Sequence, residues 1–244
     1  MTSLKNLLKP ETWFDFCEHW GSVLFYTLFP LLFFGLISGL YLAPTDAQQG
    51  EVYRIIYVHV PAAAMSLGCY AFIGLCSACF LVSRVLIFDY LTLAAAKVGA
   101  ILTALSLITG AIWGLPTWGT WWIWDARLTS QLLLLMIYVC YLLVRLSVKP
   151  ERQARIYASV FAMIGLIDLP IIHFSVQWWA TLHQPPTLFK FAKPSMDGQM
   201  LWALMICLFV YFFITIVLVL LTLRNDLLIH CRHKKWVERK KIHE

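Results

Sequence analysis

Charge is scarce in this chain. Asp, Glu, Lys and Arg make up only 13% of its 244 residues, and 61% are hydrophobic. Soluble globular chains run near ~25% charged and ~45–50% apolar, so this composition excludes a secreted disulfide scaffold, a disordered tail and a free nucleic-acid-binding domain. The net charge of +6 marks membrane topology instead, because the basic residues flank apolar runs. No Gly-Lys pair occurs, so the chain has no P-loop, and any ATP is bound by another subunit. Cys76-Ser77-Ala78-Cys79 is not followed by His and is no c-type haem attachment site. The seven cysteines fall mostly inside apolar runs, where small side chains pack between helices. There is no internal repeat and no low-complexity tract. Polar sequence is short as well: the longest segment outside the apolar runs, 175–200, falls below the ~40 residues of an unstapled fold. Any chemistry therefore sits in the membrane or at its faces.

Apolar runs of about 22–42, 60–82, 93–113, 130–147, 155–174 and 201–223 remain. Each approaches the ~20 residues of a spanning helix. The expected fold is an all-α integral membrane protein: one six-span domain over 1–244, its first run an uncleaved helix rather than a signal peptide. Fifteen of the 19 Lys and Arg fall on the side that holds both termini. That side is read as cytoplasmic. The outer segments are then 43–59, 114–129 and 175–200, carrying Arg54, Arg127, Lys190 and Lys193. The tail 224–244 is a basic patch suited to anionic lipid.

The outer segments hold the residues of interest. Five tryptophans lie in 113–124: Trp113, Trp118, Trp121, Trp122 and Trp124. Trp118, Trp121, Trp122 and Asp125 fall at i, i+3, i+4 and i+7, which predicts a short interfacial helix with an aromatic face. Two readings fit it, a membrane anchor or a platform for a large flat apolar ligand. His59, in Tyr57-Val58-His59-Val60-Pro61, is expected at the outer start of the second span, where Pro61 suits a first turn. The positive end of the helix dipole favours the neutral imidazole that ligates iron. His183 is expected to end a short helix with Ser175 and Trp179 on its face, since Pro185 turns Gln184 away from helix. Two neutral imidazoles beside an aromatic platform suit a bis-histidine haem. Arg54 and Arg127 would hold its propionates, although Arg127 could instead pair with Asp125. Asp125 would cap a helix or orient an arginine. His173 is expected below the surface as a hydrogen-bonded structural residue. Asp168, two residues before Pro170, is expected to cap the outer half of a kinked helix, with a proton relay as the other reading.

Three motifs then resemble one family. Trp113 to Ser130, with Trp121-Trp122-Ile123-Trp124-Asp125 at its centre, is similar to the tryptophan-rich WWD signature of haem-handling proteins. Tyr53 to Ala63 and Leu169 to Gln184 resemble the first and last outer loops of cytochrome c maturation protein C, the haem exporter protein C (CcmC) family. The resemblance extends over nearly the whole chain. It implies haem b (iron protoporphyrin IX) at the outer face of the bacterial cytoplasmic (inner) membrane. His59 and His183 would be its axial ligands, and the WWD segment would pack on the porphyrin. It also implies delivery to the periplasmic haem chaperone CcmE during c-type cytochrome maturation, and association with the small membrane protein CcmD and the ABC complex CcmAB. No catalytic motif accompanies this, so an enzyme is not expected. A permease subunit of an ABC-type transporter and a b-type haem oxidoreductase subunit are the alternative readings.

Overall fold

The computed structural model describes residues 8–179, 181–183, 196–234 and 236–237. Lys190, Lys193 and the far end of the basic tail lie outside them. Among the described residues there is no strand, and six helical spans are long and apolar enough to cross a membrane. With no water in a bilayer core, a span must satisfy its own backbone groups, and long helices do so. The helices are α1 (Pro10–Ile37, continued by a π-helical turn at Ser38–Leu42), α2 (Ile56–Ser83), α3 (Leu86–Trp118), α4 (Ala126–Ser147), α5 (Glu151–Gly165), α6 (Asp168–Trp178) and α7 (Gly198–His230). A 3₁₀ turn at Glu51–Ile55 leads into α2. Pro61 therefore sits inside a helix rather than in its first turn.

The fifth span is two helices. Pro170 has no N–H to give the Leu166 carbonyl, and the Leu169 N–H takes that carbonyl instead at 3.2 Å. The break falls at Leu166 and Ile167, as the sequence suggested. Asp168 does not cap it, however. It is the first residue of α6, and both its carboxylate oxygens are buried without a hydrogen-bond partner among the described residues.

Packing follows small residues, as expected where lipid is as apolar as the core. Ala94, Ala95 and Ala96 of α3 are fully buried. Tyr138 of α4 lies against Gly99, where a Cβ would collide with its ring, and donates to the Ser66 carbonyl at 2.8 Å. Tyr70 of α2 packs in the same way on Gly165 of α5. Phe29 and Phe33 of α1 face outward.

The start of α1 and the end of α7 lie together at one end of the bundle. Phe14 packs on Trp236, and Glu18 pairs with Arg224. Two buried carboxylates occur near there that the sequence reading had placed outside the spans. Asp89, 1% exposed, receives Arg145 at 3.0 Å and Arg155 at 3.2 Å, and Asp226 pairs with Lys97. The basic residues of this end are thus partly structural. The opposite end holds the tryptophans of 113–124.

Candidate functional site

At the tryptophan-bearing end, α2, α3, α4 and α6 enclose a cavity of about 400 Å³. That is within the range of small-molecule sites, ~300–1,000 Å³. Its walls are mostly apolar: Val60, Ala63 and Leu67 from α2, Gly110 and Ala111 from α3, Leu128 from α4 and Ile172 from α6. Three histidines line it: His59, His173 and His183.

His59 and His183 face each other with ring centroids 6.5 Å apart and planes 37° off parallel. A ring nitrogen binds a first-row metal at ~2 Å, so a single metal ion would fit in a gap of this width. Each ring touches a tryptophan: His59 meets Trp113 at 5.8 Å, and His183 meets Trp118 at 6.0 Å. Behind His59, the Thr109 hydroxyl lies 3.1 Å from Nδ1.

The expected interfacial helix does not form. Trp118 is the last residue of α3, and Gly119, at φ +77, ends the helix in the left-handed region that L side chains rarely adopt. Residues 119–125 then run without helix. The single aromatic face is therefore lost. Trp113, Trp118 and Trp122 line the cavity. Trp121 and Trp124 are 55% and 78% exposed. The Trp122 indole N–H is buried and has no acceptor among the described residues, so a ligand carrying an acceptor would satisfy it.

The two arginines separate. Arg127, half-buried on the first turn of α4, lines the cavity, and no ion pair to Asp125 forms. Arg54 is not brought there. It pairs with Glu51 and donates to the Ala43 carbonyl at 2.7 Å, closing the segment ahead of α2. The same segment reaches the cavity through Gln49, which accepts from the Trp113 indole at 2.8 Å.

Asp125 has two tasks. One carboxylate oxygen caps α4 by accepting from the Leu128 N–H at 2.7 Å, and the other accepts from the Thr181 hydroxyl. The Thr181 oxygen accepts in turn from the His183 N–H at 3.0 Å. The middle outer segment thereby fixes the last one at His183. That histidine does not end a helix: α6 stops at Trp178, Trp179 is extended, and Ser175 is buried while Trp179 is half exposed. Gln184, Pro185 and Pro186 lie outside the described residues. His173, expected to be structural, lies on α6 and faces the same cavity.

The sequence reading passed over a polar floor. Gln131 donates through Nε2 to Ser66 and Ser106 at 3.1 and 3.0 Å. Both hydroxyls spend their protons on backbone carbonyls, so each is an acceptor for the amide. A legible signal existed: Ser106, Thr109, Gly110 and Trp113 fall at i, i+3, i+4 and i+7, a polar and small stripe in an apolar span.

Comparison with known proteins agrees with the motifs. Residues 3–238 match the family model described as Heme exporter protein C. Heme exporter protein C of Haemophilus influenzae is 39% identical over 230 residues, 94% of each chain. That of Escherichia coli K12 is 38% identical over 236 residues, 96% of this chain and 95% of its own. A cytochrome c biosynthesis ccmC-like mitochondrial protein of Marchantia polymorpha is 41% identical over 222 residues, 91% of this chain and 94% of its own.

Proposed function

The chain belongs to the haem exporter protein C family, a membrane component that handles haem for cytochrome c maturation rather than an enzyme, and from that premise we propose that it holds haem b in the cavity between His59 and His183 and hands it to the chaperone CcmE. One observation carries the reading: two histidines far apart in sequence face each other at 6.5 Å inside one tryptophan-lined cavity.

The cargo is an apolar disc with an iron that has two axial positions and with two propionate carboxylates at one edge. The residues match it part by part. His59 and His183 supply the axial nitrogens. Trp113, Trp118 and Trp122 offer rigid apolar area to the disc. Arg127 and the Trp122 N–H, which has no acceptor among the described residues, are donors for a propionate. Arg54 acts indirectly by shaping the segment before His59, and Asp125 does so by holding Thr181. Trp121 and Trp124, exposed beside the cavity, are suited to meet the chaperone or the membrane interface. Two axial histidines keep the iron closed to other ligands while the haem waits.

The surroundings follow the family reading and the charge pattern. The protein sits in the cytoplasmic membrane with both termini inside and the cavity facing the periplasm. CcmD and the ATP-hydrolysing complex CcmAB are its neighbours there, since this chain carries no nucleotide-binding motif of its own. The experiment is chaperone loading in membranes. Wild type should yield CcmE with covalently bound haem, and His59→Ala or His183→Ala should abolish it. Undiminished loading with both histidines replaced would overturn the reading.

A further inference from the structure

We infer that Thr109 is a positioning residue that holds His59 with its proton on Nδ1, leaving the Nε2 lone pair for the haem iron; the inference rests on the haem-binding reading above. The hydroxyl of Thr109 sits 2.7 Å from the Leu105 carbonyl one turn back, and 3.1 Å from His59 Nδ1. A hydroxyl has one proton and two lone pairs. A carbonyl only accepts, so the proton goes to Leu105, the shorter contact, and the oxygen is left to accept. The group that must then donate is Nδ1–H. A neutral imidazole protonated on Nδ1 carries its lone pair on Nε2.

The helix surface is shaped for this contact. Gly110 follows Thr109, and a Cβ there would come within 3.1 Å of His59 Cε1, the carbon next to Nδ1. Glycine lets the ring approach α3 closely enough to reach the hydroxyl. Thr109 is itself buried, 8% exposed. His59 is thus presented rigidly, in one orientation and one tautomer. Supporting hydrogen bonds of this kind raise the basicity of a ligating histidine, and their loss typically costs about 10–100-fold in metal affinity.

The test is hemin titration and redox potentiometry of the purified full-length protein carrying Thr109→Val, Thr109→Ser or His59→Ala. Valine keeps the shape and removes the acceptor, whereas serine keeps the acceptor. Thr109→Val should weaken hemin binding by about 10–100-fold and move the haem midpoint potential to more positive values, because a less basic imidazole stabilises ferric iron less. Thr109→Ser should restore both. Should the valine protein fail to accumulate, Thr109→Ala removes the same oxygen without branching. Wild-type affinity and potential in Thr109→Val or Thr109→Ala would overturn the inference, as would a serine variant as impaired as valine. Retained hemin affinity in His59→Ala would instead overturn the haem site. Loss in His59→Ala with a silent Thr109→Val would overturn the Thr109 role alone.

Discussion

His59 and His183 reach the same cavity on different supports. His59 rides on a long helix and is braced from behind by Thr109. His183 lies beyond the end of α6, and its backbone is tied through Thr181 to Asp125. Asp125 therefore matters to a residue that it does not touch. Its two tasks separate by substitution. Asn keeps a good helix cap but turns a donor amide toward the Thr181 hydroxyl, which needs an acceptor. Asp125→Asn is expected to leave thermal stability close to wild type and to weaken hemin binding. Asp125→Ala removes both functions and should add the usual loss of about 1 kcal/mol for a missing cap. Thermal unfolding and hemin titration of the two variants check this. Equal hemin affinity in Asp125→Asn and wild type would remove the link to His183.

The elements explain which parts of the site the sequence discloses. Six long apolar runs leave little freedom, because a bilayer accepts only helices whose backbone is satisfied internally. The spans were legible for that reason. Their ends were not, since polar residues such as Asp89 and Asp226 continue a helix when a neighbouring helix supplies a cation. The tryptophan segment shows another limit. Its i, i+3, i+4, i+7 spacing fits a helix, yet Gly119 takes a left-handed turn and stops α3 one residue earlier. The consequence is functional: three tryptophans turn to the cavity and two are left outside. Arg54 and Arg127 looked equivalent as cations on outer segments. Only the fold separates them, because Arg54 finds Glu51 and the Ala43 carbonyl nearby while Arg127 begins a helix that borders the cavity. Thr109 was hidden for a simpler reason. Threonine in an apolar span commonly bonds its own helix backbone, as Thr109 does to the Leu105 and Ser106 carbonyls, and only the approach of His59 adds a partner from another helix.

The whole bundle divides its work between its two ends. The start of α1, the end of α7 and the buried ion pairs are at one end, and the tryptophans of 113–124 and the histidine pair are at the other. Asp89 forms ion pairs with two arginines and accepts a hydrogen bond from Arg145, which is 4% exposed. Breaking a buried pair by removing one partner typically costs ~3–5 kcal/mol, because the remaining charge is stranded. Asp89→Asn should therefore lower the thermal midpoint of the purified protein strongly. Below that midpoint its hemin spectrum should match wild type, since the cavity is at the far end. A weakened spectrum in an otherwise stable variant would mean that the two ends are coupled.

The proposed haem site is tested most directly by one comparison. Purified protein loaded with hemin should give a low-spin b-type absorption spectrum in both oxidised and dithionite-reduced forms. His59→Ala/His183→Ala should lose it. A low-spin spectrum that persists unchanged in the double variant would contradict ligation by this pair and would point to His173, the third histidine in the cavity.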